Sequence, residues 1–85
     1  MQIAEEIRAK ILVFQRLEIT EYHIYKKLAG KIKSPENAKI VAQIAEDELR
    51  HYEGLKKYSG RDIQPDWLTM WTYYLISRIF GFTLV

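Results

Sequence analysis

The sequence Gly30-Lys31-Ile32-Lys33-Ser34-Pro35 separates two long helical patterns. Gly30 ends the first pattern, which begins near Gln2 and runs to Ala29, since glycine is the usual residue after a helix C-terminus. Ser34 and Pro35 start the second, because serine caps a helix N-terminus and proline fits its first turn. This second helix is predicted to run to about Tyr58. A link of three residues requires the two helices to pair as an antiparallel hairpin.

A third helix is predicted after the polar link Arg61–Gln64, opened by Pro65 and Asp66. No stretch shows the period-two alternation or the hairpin turns of strands. The predicted fold class is therefore all-α. We divide the chain into residues 1–60, the hairpin, and residues 61–85, a linker with an apolar C-terminal helix.

The composition excludes several kinds of protein. The chain has 85 residues, 48% of them hydrophobic, a net charge of +2 and no cysteine. Disulfides, cysteine-zinc sites, iron–sulfur clusters and thiol catalysis are excluded, and the charge does not favour nucleic acid. Charges among the first ten residues interrupt any signal peptide, so we expect a cytoplasmic protein. A chain this small without staples often buries enough apolar surface only as an oligomer.

Polar residues interrupt the apolar stripe of each hairpin helix. At 100° per residue, Glu18 falls on the stripe of Ile7, Ile11, Phe14 and Tyr25 in the first helix. In the second helix, Glu48 and His51 fall on the stripe of apolar and aromatic residues that consists of Val41, Ile44, Tyr52 and Leu55. A buried carboxylate is costly unless it meets a cation or a proton. These three residues are therefore the candidate site.

Glu48-x-x-His51 places a carboxylate and an imidazole one turn apart, and carboxylate-bridged two-metal bundles use two such steps plus one Glu from each of two other helices. One chain supplies half of that set, with Glu18 as its single Glu and Glu21 as the alternative. A two-fold homodimer would supply the whole set and hold two irons, with manganese as an alternative metal. The competing interpretation is a polar layer that fixes helix register without metal.

Three further side chains are candidates for hydrogen bonds to the ligands. Tyr22 and Tyr25 lie close to Glu18 around the helix, so that their hydroxyls could reach its carboxylate, although plain packing explains them equally well. Asp47 could accept the free ring N–H of His51 across a dimer interface.

The segments Glu18–Tyr25 and Ile44–Tyr52 resemble the rubrerythrin-like branch of the ferritin-like superfamily. They are most similar to the rubrerythrin-like domain of vacuolar-iron-transporter-like proteins. The resemblance implies a four-helix bundle in which Glu18, Glu48 and His51 ligate iron and Fe(II) is oxidised by O₂ or peroxide in iron handling. Such a protein would be a ferroxidase or a peroxide-reducing oxidoreductase. Two departures are the single ligand-bearing hairpin and the missing cysteine-ligated iron centre.

The apolar segment 67–85 has three interpretations. A transmembrane helix is disfavoured, because residues 71–85 span about 22 Å against the roughly 30 Å of a bilayer core. An interfacial membrane segment would use Trp67 and Trp71 as an aromatic belt and Arg78 as a snorkelling cation. The third interpretation is oligomer packing. We favour oligomer packing and rank membrane or membrane-domain association next.

Two other functions are possible for the whole chain. The main alternative is a non-catalytic helical oligomerisation module, and a weaker one is an oxygenase acting on a lipid-like substrate.

Overall fold

The computed structural model describes residues 2–80, with side chains from residue 4 onward. It contains three helices, α1 (Gln2–Ala29), α2 (Pro35–Ser59) and α3 (Trp67–Phe80), and no strand among these residues. The all-α prediction is confirmed. Residues 81–85, which the sequence assigns to the same apolar segment as α3, lie outside the described residues.

The ends of α2 lie close to the positions that the sequence predicts. The Ser34 hydroxyl accepts a hydrogen bond from the Asn37 N–H at 3.4 Å, which caps α2 behind Pro35. Gly60 ends α2 in the left-handed conformation, with φ 70°, and its N–H donates to the Lys56 carbonyl at 2.7 Å. That conformation favours glycine, because a side chain would clash with the backbone there.

α1 and α2 pair as an antiparallel hairpin. Arg8 near the start of α1 donates to the Ser59 carbonyl at the end of α2, at 3.2 Å, and Lys31 N–H closes the turn onto the Leu28 carbonyl. α3 packs on α1 and makes no comparable packing with α2 among the described residues. α1 is therefore the shared element, with α2 on one side and α3 on another.

The hydrophobic cluster of the core lies between α1 and α3, and Val41 of the predicted α2 stripe packs against it. Ile24 and Leu28 of α1 are buried against Met70 and Tyr74 of α3. Ile7 and Phe14, expected to be buried, are about half exposed. Within residues 2–80, about half of each of these two side chains is left uncovered.

The linker is held by buried polar groups. The Tyr52 hydroxyl, on a buried ring, donates to Asp62 at 2.6 Å and accepts from the Ile63 N–H at 2.9 Å. The buried Thr20 hydroxyl accepts from the Asp66 N–H at 2.9 Å. These bonds fix the start of α3 against both helices of the hairpin, because the linker peptide groups find their partners there.

Gln15 is the most enclosed polar residue of α1. Its side chain is fully buried and donates to the Arg61 carbonyl at 2.8 Å.

Within residues 2–80, none of the helices is both long and apolar enough to cross a bilayer.

Candidate metal centre

Glu18, Glu48 and His51 meet at the middle of the hairpin. Their ligand atoms all lie within 4.8 Å of one another. His51 Nδ1 lies 3.2 Å from Glu18 Oε2 and 3.7 Å from Glu48 Oε1. The group therefore has the size of a single cation-binding cluster, built from two helices of one chain.

The hairpin explains why these residues meet. Glu48 and His51 are three apart in α2 and so share one face, one turn from each other. Antiparallel pairing brings the middle of α1, where Glu18 lies, against this part of α2. The spacing of Glu48 and His51 along α2 and the antiparallel pairing of α2 with α1 together place these two residues beside Glu18.

The cluster is closed on one side and open on the other. The side chains of Glu18 and Glu48 are only 18% and 14% exposed, whereas His51 is 61% exposed. Along the same open face of the hairpin, Phe14 and Ile44 also remain exposed. The open face is therefore an apolar surface with a polar centre.

Excess negative charge marks this centre. Burial, together with the neighbouring Glu18 carboxylate, raises the pKa of Glu48. Burial also raises the pKa of Glu21 to about 7, and a hydrogen bond to Glu48 adds to that effect. Two carboxylates and one imidazole within 4.8 Å of one another fit a divalent cation.

The other candidates are placed unequally. The charges of Glu21 and Glu48, after burial, raise the pKa of Tyr25, so its hydroxyl lies within their electrostatic field. The Tyr22 hydroxyl instead accepts from Lys26 Nζ at 3.2 Å. Asp47 is held on the surface of α2 by Gln43 and Arg50. Roles for Tyr22 and Asp47 at the metal remain predictions about an assembled form.

The sequence did not reveal a pocket beside the cluster. A cavity of about 330 Å³ lies between α1 and α3, and Glu21 and Tyr25 line it together with Tyr73 and Ser77 of α3. Glu21 thus faces both the pocket and Glu48. The spacing of one helical turn between Glu18 and Glu21 could have predicted that Glu21 lies near the cluster. The pocket itself could not be predicted, because it forms only where α3 packs against α1.

Comparison with known proteins agrees with this geometry. Residues 15–74 match the family model Rubrerythrin, over more than half of the chain. No curated protein and no solved structure gives a significant match. The helical fold and the carboxylate–histidine cluster are consistent with a ferritin-like helical protein. The chain belongs to the Rubrerythrin family.

Proposed function

We propose that this chain is a di-iron carboxylate protein that binds iron and oxidises Fe(II) with O₂ or peroxide in iron handling. The observation that carries the proposal is the convergence of Glu18, Glu48 and His51 within 4.8 Å in a chain of the Rubrerythrin family. Carboxylate and imidazole ligands suit iron or manganese, and the chain has no cysteine that would favour zinc.

The complete site belongs to a homodimer in this proposal. Two hairpins related by a two-fold axis would bring two Glu18 and two Glu48-x-x-His51 sets together as a four-helix bundle, with two irons per dimer. The exposed Phe14 and Ile44 beside the cluster support this assembly, because pairing of the open faces would bury them. The finer likeness to the domain of vacuolar-iron-transporter-like proteins, and a cytoplasmic location, remain predictions.

Each residue has a definite task in this site. Glu18, Glu48 and His51 would hold the metal, which when bound supplies the redox chemistry by giving one electron per Fe(II) to the oxidant. Glu21, whose pKa is influenced by the neighbouring Glu48, would be the alternative carboxylate ligand from α1. Tyr25 would orient the carboxylates from the pocket side.

An anaerobic Fe(II) titration of the metal-stripped protein tests the proposal. We expect saturation at about one iron per chain and a rise in ferric absorbance when air is admitted. Glu48→Gln should abolish both, whereas Glu46→Gln, an exposed carboxylate on the same helix, should change neither. Sedimentation velocity on the same samples reports the dimer separately from metal binding. Binding without oxidation would leave a metal site and refute the ferroxidase.

One observation favours the alternative, a non-catalytic oligomerisation module. His51 and Glu18 already contact each other at 3.2 Å, so the cluster partly satisfies itself without metal. A dimer that takes up no iron in the titration, and whose assembly is lost in His51→Ala, would identify the cluster as a polar layer that sets helix register.

A further inference from the structure

The outer face of α3 is an apolar surface that nothing in the described chain covers. Leu68 and Ile79 are 79% and 75% exposed, and Leu75 beside them is also exposed. At 100° per residue these three side chains lie within about 40° of one another. Since the opposite face of α3 packs on α1, the helix is apolar on both sides, which is unusual for a helix in contact with water.

A group of lysines borders one flank of this face. Lys26, Lys27 and Lys31, at the C-terminal end of α1, line an open depression of about 550 Å³ with Trp67 and Trp71. No acidic side chain lines the depression. Helix periodicity places Arg78 on the same flank of α3, within about 40° of both indoles.

The lysines are not neutralised within the described part of the chain. Lys26 donates to the Tyr22 hydroxyl, and the Lys27 ammonium lies 4.7 Å from the centre of the Trp71 ring. Among the described residues, none of the three lysines forms an ion pair with a carboxylate. Asp66, which precedes Trp67 in the sequence, accepts the Thr69 N–H at 3.1 Å as the cap of α3. The flank is thus available to an anionic partner.

We propose that the outer face of α3 and the three lysines form one surface that binds the headgroup layer of an anionic lipid bilayer. Leu68, Leu75 and Ile79 would enter the boundary of the acyl chains, and the two indoles would lie at headgroup depth. The lysines would contact lipid phosphates while their stems follow the apolar face. α3 has 14 residues, about 21 Å, so it lies along the bilayer rather than across it.

Charge distinguishes a bilayer from a second copy of the chain as the occupant. If two α3 helices packed face to face, the cationic flanks of both copies would border the same interface without acidic partners. An anionic bilayer instead complements the apolar face and the cationic flank at once. This proposal is independent of the metal centre, which lies on the hairpin.

Vesicle binding by the full chain tests the surface. We expect sedimentation with vesicles of phosphatidylcholine plus phosphatidylserine, weaker binding to phosphatidylcholine alone, and release by high salt. Each lysine near an anionic surface is worth about fivefold in affinity, so Lys26, Lys27 and Lys31 changed together to Gln should weaken binding by about a hundredfold. The matched control changes three exposed lysines elsewhere on the chain, namely Lys10, Lys39 and Lys57, to Gln.

Apolar variants test the second half of the surface. Ile79→Ser should weaken binding to anionic vesicles, whereas Val13→Ser, at a similarly exposed position on α1, should not. Circular dichroism establishes that each variant keeps its helices. Equal binding to both kinds of vesicle, or an equal loss in the two lysine triples, would overturn the proposal. A dimer that buries Ile79 and does not bind vesicles would also overturn the proposal.

Discussion

Glu48→Gln should stabilise the metal-free protein while removing its response to metal. The Glu48 and Glu18 carboxylates lie within 4.8 Å of each other, where two charges repel by about 3 kcal/mol at a surface-like dielectric. Solvent on the open side reduces the net effect to about 1 kcal/mol. Glutamine keeps the shape, removes the charge and offers an N–H to Glu18. The melting temperature at pH 7.5 should therefore rise by about 4–8 °C for a domain of this size.

Thermal unfolding followed by circular dichroism measures both effects. With chelator, Glu48→Gln should melt above the parent. With Mn²⁺ at about a hundred times its dissociation constant, the parent should gain about 2.7 kcal/mol and overtake the variant. Glu46→Gln is the control for loss of one exposed negative charge. A metal-free Glu48→Gln protein that melts below both would refute the reasoning, because the carboxylate would then be a stabilising contact rather than a source of repulsion.

Three other predictions concern pH, the linker and the helix ends. A pKa of about 7 for Glu21 in the folded chain, above 4.5, means that the folded state binds the proton more tightly. Its contribution to the stability of the metal-free protein should therefore decline by about 1 kcal/mol from pH 4.5 to 7, and urea unfolding of Glu21→Gln across this range should show a shallower decline. Tyr52→Phe should cost about 1–2 kcal/mol in the same urea assay, since its hydroxyl is doubly bonded, and Tyr58→Phe on an exposed ring should be neutral. Gly60→Ala should destabilise by about 1 kcal/mol because of its positive φ, whereas Gly54→Ala, within α2 with open space at its Cβ, should stabilise by about as much in thermal melts. An unchanged pH slope, a neutral Tyr52→Phe or glycine effects of equal sign would contradict these assignments.

The residues that begin and end the helices were sufficient to predict most of the fold. Ser34, Pro35 and Gly60 act through their own backbone conformation and hydrogen bonds, so their effect can be read without tertiary structure. The meeting of Glu18 with Glu48 and His51 was also predictable, because it needs only helix periodicity and a short turn.

The buried polar residues were not predictable in the same way. Helix periodicity places Thr20 opposite Glu18, on the polar face of α1, yet Thr20 is buried because the linker folds back and donates the Asp66 N–H to it. Periodicity also places His23 off the apolar stripe, yet it is partly buried, with its ring 5.1 Å from that of Trp67. Burial and the nearby Lys26 charge lower its pKa. Both depend on where α3 packs, which periodicity along one helix does not specify.

The central position of α1 has a consequence for how the molecule comes apart. Because α3 meets the hairpin through α1 and the linker, it can detach without separating Glu18 from Glu48 and His51. Exchange of amide hydrogens should then be fastest in α3, with the hairpin opening only at a higher free energy. Detachment of α3 and disruption of the Glu18–Glu48–His51 cluster would then be two separate unfolding steps.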